Sequence, residues 1–193
     1  MPCPITGEKH CKCLIKAPVT SDVGLKETLR KLFTDHVIYT HLFTNSSVDN
    51  IADAQVVLKR LLRNQVDIGD ALGPIIGEEL GQQVTDLLTE HIKRAGDSVK
   101  ALLSGDEQAK SDAVEAQLAQ GDDVAAALSS LNPRKIPLDV VTREFRHHNL
   151  FVVQLADLHL HHQYEEEVEV LDAYLNHMLS ISDMLYQGLI AKY

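Results

Sequence analysis

The sequence has no tryptophan, and only 5% of its 193 residues are aromatic. A core must therefore be filled by Leu, Ile, Val and Ala, which is how packed helices usually fill theirs. Cysteine is almost as scarce: Cys3, Cys11 and Cys13 are all there is, and all stand at the extreme N-terminus. No disulfide framework can tie the rest of the chain together, and a reducing, cytoplasmic setting is the expectation. No apolar run approaches the roughly 20 residues that cross a bilayer. The opening MPCPITGEKHCKC lacks the apolar stretch of a secretory signal. Basic residues are in deficit too, 18 Lys and Arg against 28 Asp and Glu, for a net charge of −10. Such a surface repels nucleic acid and anionic membrane, so neither is an expected partner. Missing as well are a Gly-rich phosphate loop after a strand and a Gly-flanked nucleophile elbow.

What is present is helical pattern. Hydrophobic residues make up 45% of the chain and charged ones 24%, ordinary values for a globular protein of one domain. Residues 1–18 carry no period and read as an extended tail, with one helical-bundle domain over 19–193. A first helix follows caps at Thr20, Ser21 and Asp22, with Leu25, Leu29, Leu32, Phe33, His36 and Val37 on one face. A second is expected from a cap at Asp49, with Ile51 inward, to a break at Gly73-Pro74. The third places Leu80, Val84, Leu88, His91, Ile92 and Val99 in register and stops at Ser104-Gly105. Residues 106–131 are Ala-rich, and Gly121 is expected to divide them into two short pieces. Helices over about 138–161 and 165–190 follow, the last with Val168 inward. Strand alternation never persists and connections are short. The expected fold is all-α, an up-and-down bundle of four or more long antiparallel helices.

Polar residues on apolar faces mark the candidate chemistry. His36, His91, His148 and His177 each stand at or near a buried stripe, with Asp67, Asp70, Glu144 and Asp183 in reach of the same faces. Bundle cores that gather His and carboxylate from facing helices build metal sites suited to Zn, Fe or Mn. A core histidine is more often a packed, hydrogen-bonded residue, and the Glu-x-x-His signature occurs once only, as Glu144-x-x-His147. Asn64 and Gln65 form an amide pair inside an otherwise apolar helix, for a substrate or an interhelix hydrogen bond, or for Gln65 to satisfy a backbone group at the Gly73–Gly77 break. His159, His161 and His162, followed by Glu165, Glu166 and Glu167, read as a solvated helix junction. In the tail, Cys3, His10, Cys11 and Cys13 offer four ligands to one zinc ion, although the spacing is not a standard pair.

Five phrases in order carry a resemblance: LRKLFTDHVIYTH, LLRNQVDIGDALGPIIGEEL, LLTEHI, LSSLNP and NHMLSISDMLYQGL. Together, over about 29–193, they resemble a group of small bacterial proteins, with relatives in large DNA viruses, that often carry a glycosyltransferase label. The resemblance implies a helical bundle of uncharacterised function. The label itself calls for an α/β nucleotide-binding domain or a membrane scaffold, and this sequence offers neither. Tyr39-Thr40-His41 stands where that group has Trp-Thr-Arg, and Ile75-Ile76 replaces a pair of tyrosines.

Two readings follow for function. The first is a non-enzymatic bundle acting by binding or assembly, with a protein partner or as a homodimer, and with zinc in the tail. The alternative is a metal-dependent protein or enzyme using the core histidines and nearby carboxylates.

Overall fold

The computed structural model describes residues 22–191, and the described residues form six helices and no strand. They are α1 Asp22–Val48, α2 Ala54–Ile76, α3 Glu78–Ser104, α4 Glu107–Leu131, α5 Leu138–Leu160 and α6 Tyr164–Ile190. Consecutive helices touch, and connections this short make them antiparallel. Helix α6 returns to α1 and closes the ring, while α1, α3 and α5 also meet one another across the middle. Those three inner helices carry His36, His91 and His148, so the topology itself gathers the three imidazoles. Around them pack Leu29, Val37, Leu72, Val141, Leu155 and Leu185, all almost fully buried. No helix among the described residues is long and apolar enough to cross a membrane.

Asp49 does not cap the second helix, which starts at Ala54 after Asp53, and three further sequence expectations differ from what is seen. Helix α4 is continuous through Gly121, which is buried beneath Asn149: a Cβ there would lie 2.5 Å from Asn149 Nδ2. The glycine serves packing and not a break. Likewise, α2 runs past Gly73-Pro74 to Ile76 and ends at Gly77, whose φ of 99° suits glycine. Gly73 and Gly69 instead let α3 approach, since a Cβ on Gly81 would lie 2.9 Å from Gly73 Cα. Finally, Ile51, Leu80 and Val168 are exposed. Ile51 belongs to the turn before α2, Leu80 to the first turn of α3, and on α6 the inward position next to Val168 is taken by Glu167, 4% exposed.

Candidate functional site

The expected ligands do not form one set. His36, His91 and His148 are buried together at the bundle centre, while His177 lies elsewhere, against α5. The aspartates face arginines: Asp67 accepts from Arg63 at 2.9 Å, Asp70 lies 3.9 Å from Arg63, and Asp183 accepts from Arg30 at 2.6 Å with Lys26 at 3.8 Å. Each stands beside the buried stripe of its helix, where a long basic side chain reaches it more easily than the core does. The tail ligands Cys3, His10, Cys11 and Cys13 lie outside the described residues.

Among the described residues, Glu144, His147 and His177 bring one ligand atom each within 4.8 Å of one another and could hold a metal ion. Glu144 and His147 are three apart on α5 and so share a face. His177 comes across from α6. Its Nε2–H donates to the Glu144 backbone carbonyl at 3.0 Å, which fixes the tautomer and turns the Nδ1 lone pair towards Glu144 Oε2, 3.7 Å away. Burial lowers the His177 pKa and His147 lowers it further, against the opposing pull of the Glu144 carbonyl and carboxylate. The shift favours the neutral ring, the state in which imidazole binds metal. His147 stacks on Phe151 with ring centroids 4.7 Å apart. Arg143 donates to Glu144 Oε1 at 3.1 and 2.9 Å and leaves Oε2 for the histidine side. Zinc bonds of about 2.0–2.2 Å would require these ligands to draw inwards.

The central histidines form a different arrangement, with no carboxylate. Gln120 Nε2 donates to the Leu87 carbonyl at 2.8 Å, so its Oε1 accepts from His91 Nδ1–H at 2.9 Å. Neutral His91 then has a lone pair on Nε2, which accepts from His148 Nε2–H at 3.2 Å. Burial pushes His36 down to about 3, with His91 adding to the effect, and pushes His91 down to about 4. Burial also holds His148 well below its ordinary value. On α2, Asn64 donates to the Leu32 carbonyl at 3.0 Å and Gln65 to the Leu61 carbonyl at 2.8 Å. The expected partner at the Gly73–Gly77 break is thus not used. Gln65 Nε2 also lies 3.4 Å from His36 Nδ1.

A third cluster was read from sequence as a solvated junction, and the structure divides it. His161 and His162 are exposed, but His159 is buried, with Nδ1 donating to Glu167 at 2.9 Å and Nε2 to Asp49 at 3.2 Å. Asn45 donates to the other Glu167 oxygen at 2.9 Å, so α1, α5 and α6 are clasped at one end. Burial alone would lower the His159 pKa. The hydrogen bonds and charges of both carboxylates outweigh it, and the pKa is raised.

Gln117, Gln120 and Asn149, all buried, were not singled out from sequence. The signal was there for the α4 pair: continuing the stripe of Leu128 and Val124 backwards in helical steps reaches Gln120, Gly121 and Gln117. Compared with known proteins, the chain matches no family model, no curated protein and no solved structure.

Proposed function

We propose that this chain is a metal-binding helical-bundle protein in which Glu144, His147 and His177 hold one divalent transition-metal ion. The hydrogen bond from His177 Nε2 to the Glu144 carbonyl carries the reading, because it presents a neutral Nδ1 lone pair to a carboxylate already oriented by Arg143. Two imidazoles and a carboxylate suit zinc, with ferrous iron as its competitor. Three protein ligands at a partly exposed position leave coordination open to solvent or to an exogenous ligand, which is the layout of reactive rather than closed structural sites.

The test is metal content and zinc titration of full-length protein prepared without an affinity tag, beside His177→Ala, Glu144→Gln and a Cys3→Ser, Cys11→Ser, Cys13→Ser variant. One ion retained in the triple serine variant, with affinity lowered about 10-fold or more in His177→Ala and Glu144→Gln, is the expected result. Metal lost only with the cysteines would place it in the tail and sink this reading.

A second reading, association with a protein partner or another copy, is favoured by Ile38 and Leu42, one turn apart on α1 and 44% and 45% exposed. Light scattering of the purified protein, with and without Leu42→Glu, decides it. A dimer that dissociates in the variant supports the reading, and a monomer at all concentrations rejects self-association.

A further inference from the structure

The group of Glu144, His147 and His177 has a covered side and an open one. On the covered side the His147 ring stacks on Phe151, which is 9% exposed. On the open side stands Arg143, one turn before His147 on α5 and so on the same helix face. His147 is exposed, whereas Glu144 and His177 are half-buried, so solvent reaches the group from the His147 and Arg143 side.

The Arg143 guanidinium is held at this opening. Its Nε and one terminal nitrogen both donate to Glu144 Oε1, and it has no other partner among the described residues. The side chain is 68% exposed, so its remaining N–H groups stay open to solvent. Arg146, the next basic residue along α5, is instead taken by both carboxylate oxygens of Asp122. Glu144 itself sets the spacing: Oε1 accepts from the guanidinium while Oε2 is turned to His177 Nδ1 and the metal position. Guanidinium and ion are thus as far apart as two oxygens on one centre can bridge, and a second oxyanion spans the same gap. Charge decides which one. Imidazoles bind metal in the neutral form, so a divalent ion with Glu144 carries one net positive charge and Arg143 adds another.

We propose that the open coordination position and Arg143 together form a binding site for a phosphate dianion, one oxygen on the ion and another accepting from the guanidinium. This rests on the metal reading above and names the ligand class of that site. A dianion matches the two positive charges, a carboxylate monoanion leaves one over, and a neutral ligand gains nothing from Arg143. The planar fork of arginine suits phosphate oxygens in particular.

The experiment is titration of the cobalt-loaded full-length chain with inorganic phosphate, read in the visible absorption of the ion. The three cysteines are replaced by serine so that thiolates add no bands. Phosphate should shift the spectrum to saturation and bind more tightly than acetate. Arg143→Gln should take up cobalt as the parent does but bind phosphate about 10-fold or more weakly. Phenyl phosphate separates the two sources of the ligand. Binding as tight as that of phosphate identifies a terminal phosphate group, and binding of inorganic phosphate alone identifies the free ion; both support the site. A cobalt spectrum that phosphate leaves unchanged, that it changes equally in Arg143→Gln, or that acetate changes at equal concentration overturns the phosphate site and leaves the metal reading standing. No cobalt uptake, or uptake undiminished in His177→Ala, overturns both.

Discussion

His91 donates one hydrogen bond to Gln120 and accepts one from His148, and no water is needed to satisfy either ring nitrogen. His91→Ala strands both partners and opens space at 1% exposure. We expect it to cost roughly 2–4 kcal/mol in urea unfolding while leaving unchanged the zinc uptake proposed for Glu144, His147 and His177; loss of that uptake in this variant would tie the core to the site. The positions of His36, His91 and His148 were legible in the sequence because each interrupts an apolar stripe. Their partners were less so. Gln120 counts as inward only when α4 is continuous, and that depends on Gly121 lying beneath Asn149, a contact between residues far apart in sequence. His177 was placed with the wrong group for a similar reason: its stripe position is real, but at the edge of α6 its ring meets α5 and not the centre.

Helices α2 and α3 approach through glycine. Gly81→Ala would set a Cβ 2.9 Å from Gly73 Cα and 3.0 Å from the Gly69 carbonyl oxygen. Backbone cannot yield as a flexible side chain does, so the helices must separate, at a cost of about 1–3 kcal/mol; a melting temperature unchanged by the substitution would contradict the packing. Helix α4 begins at Asp106, whose carboxylate accepts from the amides of Gln108 at 2.9 Å and Ala109 at 3.0 Å. Asp106→Ala should cost about 1 kcal/mol, read as a lower denaturation midpoint with unchanged slope. Existence and order of the long helices followed from periodicity. The glycines did not, because the same residue that ends an isolated helix also permits two helices to touch, and sequence does not say which.

Two sets of histidines give the whole molecule opposite responses to pH. His36, His91 and His148 are held neutral, with pKa values pushed down from 6.5. Their contribution is complete above 6.5 and is lost as pH falls from there towards about 4 and then 3, because the unfolded chain takes up protons first. Each adds a slope of up to about 1.4 kcal/mol per pH unit in that window. His159 behaves the other way. Its raised pKa makes the clasp to Glu167 and Asp49 fully effective below 6.5 and weaker as pH rises through the folded value. Stability measured by urea midpoint should therefore fall on both sides of about pH 6.5. His36→Leu should flatten the acid limb and His159→Gln the alkaline one; identical profiles for wild type and His159→Gln would remove the charged clasp.

Periodicity over a few turns carries helix type, order and the inward stripe, since each depends on residues three and four apart. For that reason the all-α bundle and the burial of His36, Asn64, Gln65, His91 and His148 were readable in one dimension. Which polar groups meet is another kind of quantity. Burying Glu167 while exposing Val168, joining His177 to Glu144 and His147, and leaving Asp67 and Asp183 to arginines all turn on how each helix is rotated about its axis. That rotation is set by the summed packing of the two to four helices each one touches. It is decided only when the tertiary structure forms, because no local segment contains the contacts that fix it.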